Sequence, residues 1–340
     1  MKLYAGIDLH SNNSYIVVID ENDKILFQKR VANDLPTILS SLDSFKEQLV
    51  GVVIESTYNW YWLADGLQLA GYKIHLANTN AISQYNGLKH TDDKSDARWL
   101  AHLLKLGILA EGYIYPKEER GLRELLRKRM SLVKEQTRCI LMTQGLLSRY
   151  VNCFVNSYHL LRGDLTQEVL REKIADKNVR QTITSQLVLL KHIRLEVNEH
   201  EKSIKTQLKK DALFLLLKSI PGVGDILAMT IRLETGEISR FSKAGKYSSY
   251  CRCIESKRIS NGKKKSENNR RNGNAYLGWA FIEAANFAIR TCEPIKQYYQ
   301  RKQAKTKRVI ALKAIANKLA RASYFIQRDN VEFDMKKAFG

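Results

Sequence analysis

The first third of the chain alternates between short apolar runs and helix-like periods. Three apolar, β-branched runs joined by polar turns predict antiparallel strands over Lys2–Leu9, Tyr15–Ile19 and Ile25–Val31. Asp34 and Pro36 are typical of a helix start and predict a helix over Leu35–Leu49. Strands and helices then alternate over Gly51–Glu55, Tyr58–Ala70, Lys73–Ala77 and Asp93–Leu106. The order βββαβαβα predicts an α/β domain with the ribonuclease H fold.

Beyond Tyr115-Pro116 the pattern changes to long helical periods. Residues 119–150 predict one long basic helix, and a second helix is predicted across roughly 180–210. The second helix carries an apolar residue at every seventh position, at Ile183, Leu190, Val197 and Ile204. This spacing predicts a coiled-coil seam but leaves open whether the seam pairs within one subunit or between subunits. Residues 212–330 predict a largely helical domain interrupted by a loop-like basic stretch from Ser256 to Asn274. We therefore predict three parts, 1–115, 116–211 and 212–340.

Composition places the chain among globular proteins. Of its 340 residues 44% are hydrophobic and 27% are charged, and no apolar run approaches the ~18 residues that a membrane span needs. The N-terminus lacks the pattern of a secretory signal, so we expect a cytosolic protein. The five cysteines fit no disulfide framework, and the Cys251-x-Cys253 pair lacks a second pair nearby to complete a zinc site. Reduced thiols are favoured.

Net charge is distributed unevenly and changes the picture most. Residues 1–112 hold 10 basic and 13 acidic residues, whereas the remainder holds 46 basic and 22 acidic ones, a balance of +24 within a total of +21. An excess of this size favours a polyanionic partner, because cations that neutralise phosphates release counterions. No basic amphipathic anchor or lipidation signal supports a lipid surface instead. Nucleic acid is the favoured partner.

Four carboxylates stand at corresponding points of the predicted fold. Asp8 ends the first strand, Glu55 ends the fourth, and Asp93 and Asp96 lie on one face at a helix start. In a ribonuclease H-like sheet these positions converge, and the cluster would repel itself unless divalent cations neutralised it. Oxygen ligands favour Mg²⁺ or Mn²⁺, and two such ions can activate and stabilise oxygens on phosphorus. The residues leave two alternatives open: Asp92 can replace Asp93, or the acids only favour the helix N-terminus.

A second group of residues indicates contacts with phosphate. Ser219-Ile-Pro-Gly222-Val-Gly224-Asp-Ile resembles the hairpin of a helix-hairpin-helix element, whose glycines let backbone N–H groups approach a DNA phosphate. The alternative is an ordinary Pro-Gly turn between helices. Arg127 and Lys128 of the long basic helix are also expected to bind nucleic acid.

The stretch from Ser256 to Gly273 contains seven basic residues and one acidic residue. The basic residues expected to bind nucleic acid here are Arg258, Lys263, Lys264, Lys265, Arg270 and Arg271. A serine in this setting, such as Ser260, can attack a phosphodiester while the cations stabilise charge on phosphorus. The alternative is a solvated loop that touches nucleic acid without chemistry, and spacing alone does not favour Ser260 over Ser256 or Ser266.

Motifs across nearly the whole chain resemble those of the IS110 family of insertion-sequence transposases, in its IS1111 branch. In the first half they are Gly6-Ile-Asp8-Leu-His, Val53-Ile-Glu55-Ser-Thr and Thr91-Asp-Asp93-Lys-Ser-Asp96-Ala. In the second half they are Ile220-Pro-Gly-Val-Gly, Ile238-Ser-Arg-Phe241, Ser260-Asn-Gly-Lys and Asn272-Gly-Asn-Ala-Tyr-Leu277. The chain departs from the family pattern at Asn261, where Gly is usual, and at Gly278, where a basic residue is usual.

The resemblance implies a DNA recombinase with a RuvC-like domain and a serine transposase domain. Its D-x-x-D-A motif falls on Asp93 and Asp96 rather than Asp92, and its nucleophile falls on Ser260. It implies Mg²⁺-assisted cutting through a phosphoserine intermediate, with the domains of different subunits of a homo-oligomer forming one active site. It also implies an element-encoded guide RNA that pairs with donor and target DNA.

Two alternatives from other classes stay open. A RuvC-like two-metal nuclease of the Holliday-junction resolvase type needs only the four carboxylates. A catalytically idle DNA- or RNA-binding protein needs none of them. Tyrosine recombinases are disfavoured because the last histidine is His200. A D-D-E transposase is disfavoured because the closing helix offers D-x-x-D.

Overall fold

The computed structural model describes residues 1–82, 92–255, 258–266 and 272–340. These form two compact units, Met1–Lys117 (the N-terminal unit) and Glu118–Gly340 (the C-terminal unit). Each unit has buried apolar clusters of its own. The finer division into 1–115, 116–211 and 212–340 stays a prediction.

A five-stranded mixed sheet is the centre of the N-terminal unit. Its strands are β1 (Leu3–Leu9), β2 (Asn13–Ile19), β3 (Ile25–Ala32), β4 (Leu49–Glu55) and β5 (Ile74–Ala77). They lie in the order β3-β2-β1-β4-β5, with β1 antiparallel to β2 and parallel to β4. This sheet, followed by a mostly helical body, is compatible with the predicted ribonuclease H-like start.

Helices cover both faces of this sheet. They are α1 (Leu35–Asp43), α2 (Tyr61–Leu69) and α3 (Asp93–Lys105). The predicted helix over Leu35–Leu49 is wrong beyond Asp43, because α1 ends at Asp43 and a short 3₁₀ turn over Lys46–Gln48 leads directly into β4. Leu49 pairs with Leu3 of β1, so the sheet takes residues whose apolar spacing also suits a helix.

The alternation of β1 directs its side chains to two different layers. Ala5, Ile7 and Leu9 join the cluster with α1 and α2, whereas Gly6 and Asp8 belong to the opposite face, where α3 packs. A Cβ atom on Gly6 would lie only 1.9 Å from the carbonyl oxygen of Ala97. The backbones of α3 and β1 therefore touch, and only glycine permits this distance.

Two long helices begin the C-terminal unit, α4 (Lys117–Val151) and α7 (Lys177–Leu208). The four residues of the predicted seam on α7 are all buried. Leu190 and Val197 share an apolar cluster with Cys139 and Ile140 of α4, so this part of the seam packs within the chain.

Shorter elements complete the C-terminal unit. They are α5 (Ser157–Arg162), α6 (Gln167–Lys173), α8 (Ala212–Leu217), α9 (Asp225–Thr235), α10 (Ala244–Tyr250), β6 (Arg258–Ser260), β7 (Lys263–Ser266), α11 (Ala275–Thr291), α12 (Glu293–Gln303), α13 (Arg308–Asp329) and α14 (Met335–Phe339). Within the described part of the chain, no helix is both long and apolar enough to cross a bilayer.

The predicted loop after Ser256 is corrected in its described part. Strands β6 and β7 form an antiparallel hairpin in which Ser260 pairs with Lys263. Asn261 and Gly262 connect them with φ values of +51° and +70°. Asn-Gly is a preferred sequence for such a tight turn. This pair, between Ser260 and Lys263, is therefore a signal for a hairpin in the sequence itself. We call β6, β7 and their turn the serine hairpin.

The contact at Gly6 yields a stability prediction. We expect Gly6→Ala to destabilise the N-terminal unit by about 2 kcal/mol or more, because the added methyl group meets backbone rather than a movable side chain. Urea unfolding followed by tryptophan fluorescence measures this, since Trp60, Trp62 and Trp99 lie in that unit.

The matched control is Gly145→Ala in α4, where an added Cβ has no heavy atom within 4 Å. We expect it to stabilise its helix by about 0.5–1 kcal/mol through helix propensity. Equal stabilities of Gly6→Ala and the unaltered protein would contradict the close contact.

Candidate functional site

Two strand ends place the first pair of carboxylates. Asp8 and Glu55 follow the paired residues Ile7 and Ile54 of the parallel strands β1 and β4. Asp8 is only 3% exposed, and a hydrogen bond joins its side chain to that of Glu55. The pair therefore lies at one edge of the sheet in largely dehydrated surroundings.

The first turn of α3 supplies the second pair. The charge of Asp93 raises the pKa of Asp8, and the charge of Asp8 raises the pKa of Asp96. Both carboxylates of α3 therefore lie close enough to Asp8 to repel it. Asp92 has a different task, because its Oδ1 accepts a 2.7 Å hydrogen bond from the Ser95 amide and caps the helix. The four predicted carboxylates, Asp8, Glu55, Asp93 and Asp96, thus come together, and we call them the acidic cluster.

Two basic side chains at the acidic cluster were not predicted. The Nε2 atom of His10 lies 3.3 Å from Asp8 Oδ2 and 3.1 Å from Asp93 Oδ1. An Nη2 atom of Arg30 lies 2.5 Å from Asp93 Oδ2. His10 follows Asp8 by two residues, a spacing that keeps side chains on one face of an extended chain. That spacing was a usable signal, whereas Arg30 comes from β3, two strands away.

The backbone of His10 is held in place. Its carbonyl oxygen accepts hydrogen bonds of 2.9 Å from the side-chain amides of both Asn33 and Asn59. The imidazole therefore projects from an anchored turn at the end of β1.

Burial and mutual repulsion shift the titration of the acidic cluster. Desolvation, with the hydrogen bond and charge of Asp8, raises the pKa of Glu55 to about 7. Desolvation also raises the pKa of Asp8 and, together with the charge of Asp8, that of Asp96. Glu55 is accordingly the carboxylate of this cluster that can hold a proton near neutral pH, and in that form it can donate a hydrogen bond to Asp8.

The donor set suits a hard divalent cation. Ligand atoms of Asp8, His10 and Asp93 all lie within 4.8 Å of one another. The nearby carboxylates of Glu55 and Asp96 have raised pKa values, so bringing positive charge to this edge relieves their repulsion. The residues therefore fit Mg²⁺ or Mn²⁺ on chemical grounds.

The other predicted nucleophile lies in the C-terminal unit. Ser260 is exposed at the end of β6, next to the Asn-Gly turn, and Lys263 and Lys265 are exposed on β7. Ser256, Arg270 and Arg271 lie outside the described residues, as do the side chains of Arg258, Lys264 and Ser266.

The two predicted phosphate-binding glycines differ in their surroundings. Gly222 has φ of +81°, and a Cβ there would lie 2.3 Å from the carbonyl oxygen of Ala284 in α11. The close approach that this glycine permits is thus to a helix of the same unit. Gly224, the N-cap residue of α9, has open space where a Cβ would stand.

The two predicted basic contacts on α4 also differ. Lys128 is exposed, whereas the guanidinium group of Arg127 is bound by Glu234 through hydrogen bonds of 2.7 and 3.0 Å. Binding of nucleic acid by Gly222, Gly224, Arg127 and Lys128 stays a prediction.

Comparison with known proteins finds one family match in the first half of the chain and another in the second half. A family model described as a transposase, the DEDD type of the IS110 group, matches residues 5–152. A second, described as a transposase of the IS116/IS110/IS902 family, matches residues 215–300. The chain belongs to the IS110 family of transposases. The first match contains the acidic cluster and the second contains Ser260.

Two curated relatives resemble this transposase over most of its length. The transposase for insertion sequence element IS1111A of Coxiella burnetii is 22% identical over 290 residues, which are 84% of this chain and 77% of the relative. An insertion element IS116 protein of Streptomyces clavuligerus is 20% identical over 352 residues, covering 89% of this chain and 88% of the relative. As a transposase the protein is a DNA-processing enzyme, and its family suggests a requirement for a divalent metal ion.

The acidic cluster predicts how stability depends on pH in a chelator-treated transposase. The folded-state pKa of Glu55, about 7, exceeds its ordinary value of 4.5. The stabilising effect of its protonation is therefore complete below about pH 4.5 and is lost as the pH rises through 7. We expect the N-terminal unit to lose about 1–3 kcal/mol between pH 5 and pH 8 from this group.

Urea unfolding at several pH values in EDTA measures this loss. Glu55→Gln, which removes the titrating group, should flatten the dependence, whereas the exposed control Glu47→Gln should leave it as in the unaltered protein. The same slope in both variants would show that Glu55 does not titrate in this range.

Proposed function

We propose that this transposase cuts and rejoins DNA through a phosphoserine intermediate on Ser260, with Mg²⁺ or Mn²⁺ bound by the acidic cluster. The observation that carries the proposal is the convergence of Asp8, Glu55, Asp93 and Asp96 at one sheet edge. Four neighbouring carboxylates, one buried and three half-buried, are costly for a fold to maintain, which favours a functional explanation.

The acidic cluster would hold the metal through its carboxylate oxygens. Asp8 and Asp93 are supported as ligands by the distances within 4.8 Å, and Glu55 and Asp96 by their electrostatic coupling to Asp8. When bound, the ion supplies Lewis acidity that polarises a phosphate oxygen. Asp8 is fixed by its strand and buried, so it gives the most rigid of these oxygens.

His10 and Arg30 would act around this centre. The Nε2 atom of His10 lies within 3.3 Å of both Asp8 and Asp93, so it can donate a hydrogen bond to either carboxylate. Arg30 is 58% exposed at its side chain and pairs with Asp93. It can also reach a DNA phosphate from this position, which would offset part of the repulsion between the acidic cluster and DNA.

The serine chemistry rests on the hairpin and its charge. In the proposed step Ser260 gives up its hydroxyl proton, and its Oγ forms a bond to phosphorus. The bond from phosphorus to the leaving sugar oxygen breaks, and that oxygen takes up a proton. The exposed ammonium groups of Lys263 and Lys265 support this assignment, because they can stabilise the negative charge that develops on the phosphate.

The partners would be the element ends, a target DNA and a structured guide RNA, bound by a homo-oligomer. DNA binding follows from the family. The balance of +24 beyond residue 112 supports a further nucleic acid partner.

A two-metal nuclease without serine chemistry is the second candidate. It is favoured by the acidic cluster itself, which contains every group that such an enzyme needs. It would cleave branched DNA with water as the nucleophile and would leave no protein–DNA adduct.

The nucleophile is tested with Ser260→Ala. We expect the unaltered protein, given Mg²⁺ and labelled element-end DNA with any copurifying RNA, to form a covalent adduct that resists SDS and is lost in Ser260→Ala. Gel electrophoresis measures the adduct, and Ser256→Ala and Ser266→Ala are matched controls from the same basic stretch. Cleavage that persists in all three variants without an adduct would favour the nuclease.

The RNA partner is tested by sequencing what copurifies. We expect a discrete non-coding RNA transcribed from beside the transposase gene, retained after a wash of moderate salt. A variant with Lys263, Lys264 and Lys265 all changed to Gln should retain less of it, because each lost phosphate contact removes counterion release. Random cellular RNA in place of a discrete species would contradict the guide.

A further inference from the structure

A buried carboxylate joins three separate parts of the C-terminal unit. Glu234, at the end of α9, is fully buried. Its Oε atoms accept hydrogen bonds from Arg123 Nε at 3.2 Å and from Arg127 Nε and Nη2 at 2.7 and 3.0 Å, both arginines lying on α4. Oε2 also accepts a 2.7 Å hydrogen bond from Asn274 Nδ2. We call these four residues the Glu234 network.

Stability alone is a weak explanation for such a network. Burying ions costs free energy that their attraction often only balances, and apolar residues of similar volume frequently serve as well. What the network supplies is fixed geometry, because a carboxylate bound through both oxygens by Arg127, and also by Arg123 and Asn274, has few alternative arrangements. Arg127 is constrained further, since its guanidinium carbon lies 4.7 Å from the centre of the Tyr276 ring.

Asn274 connects the network to the return of the chain from the serine hairpin. It is 7% exposed, and each of its side-chain groups is in use. Its Oδ1 accepts from the backbone amides of Tyr276 and Leu277 and caps α11, and its Nδ2 donates to Glu234, while its backbone N–H donates to Tyr250 O at 2.7 Å. One side chain therefore fixes the start of α11 and binds Glu234 together.

The outgoing and returning chains are also joined at this point. Arg252 Nε donates to the carbonyl oxygen of Gly273 at 3.1 Å. Gly273 has φ of +85°, and a Cβ there would lie 2.4 Å from Tyr250 O. Residues 252 and 273–274, which flank the stretch containing the serine hairpin, are thus joined to each other, to the end of α10 and to Glu234.

We propose that Glu234 is a positioning residue for the serine reaction, acting through Asn274 to fix the residues, 252 and 273–274, between which the stretch that carries Ser260 extends. The inference rests on the proposed function. Glu234 is fully buried and would not touch DNA itself. Its effect would be on the rate of the step at Ser260 rather than on DNA affinity.

The test relocates the negative charge. Asn274→Asp keeps the cap of α11, because Asp caps helices as well as Asn does, but it places a carboxylate against Glu234. Glu234→Gln removes the charge on the other side. In the double variant the new Gln amide can donate to the new Asp, so the hydrogen bond is restored with its polarity reversed. The exposed control Asn198→Asp on α7 makes the same charge change away from the network.

Two readouts are measured on the full chain. The first is the rate of Ser260–DNA adduct formation at saturating DNA, and the second is hydrogen exchange of the hairpin amides without DNA. We expect each single variant to form adduct about 10- to 100-fold more slowly, with faster hairpin exchange and unchanged DNA affinity. The double variant should recover most of both, and Asn198→Asp should match the unaltered protein.

The outcomes separate this inference from the proposed function. No Ser260-dependent adduct in the unaltered protein would overturn the proposed function, and hairpin exchange would then still test the network. Unchanged hairpin exchange in the single variants, or lower melting temperatures with unchanged adduct rates, would overturn the positioning role. If Asn274→Asp does not fold, the nearly isosteric Glu234→Gln carries both measurements.

Discussion

Backbone contact between β1 and α3 is the constraint on which the acidic cluster depends. Strand ends alone can bring Asp8 beside Glu55, but Asp93 and Asp96 reach them only because α3 lies directly on the strand at Gly6, where a Cβ would be 1.9 Å from Ala97 O. The C-terminal unit uses the same device. Gly222 lets its loop touch α11 at Ala284. Asn274 caps the start of α11, and α9, the helix after that loop, ends near Glu234. In each unit a glycine permits a close backbone contact, and that contact helps to set the distance between polar side chains farther along the same elements.

Glu234, which is fully buried, and Glu55, which is half-buried, show different solutions to the cost of desolvation. Glu234 has permanent partners, since two guanidinium groups and an amide from its own unit surround it. The pKa of Glu55 is shifted mainly by burial and by the carboxylate of Asp8, and no cation has a comparable effect on it. Its neighbours are acids, and its pKa of about 7 expresses that imbalance. Because this pKa lies near neutral pH, a positive charge brought close to Glu55 would favour loss of its proton. The first arrangement suits a fixed geometry, and the second suits a site that exchanges protons for a ligand.

Features set by short-range spacing could be predicted from the sequence. Asp8 and Glu55 end apolar strands, Asp93 and Asp96 are three residues apart on a helix, and the seam on α7 repeats every seven residues, so each follows from local geometry. The two-residue spacing of His10 from Asp8 and the Asn261-Gly262 pair are local signals of the same kind, the second one for a hairpin turn. Arg30 and the Glu234 network were beyond such reasoning. They join residues from different elements, with 111 positions between Arg123 and Glu234, and periodicity holds no information on such pairs.

Charge distribution along the chain limits how such an enzyme can bind DNA. An acidic cluster repels phosphate, and the N-terminal 112 residues have a net charge of −3. Affinity for the polyanion must therefore come from the remaining residues, whose balance is +24. Because attraction between many cations and phosphates is largely independent of sequence, it holds nucleic acid without choosing a site. Cations at the acidic cluster would remove the local repulsion only where a phosphate is to react. Under the proposed function, binding strength and chemical selectivity would come from different parts of one chain.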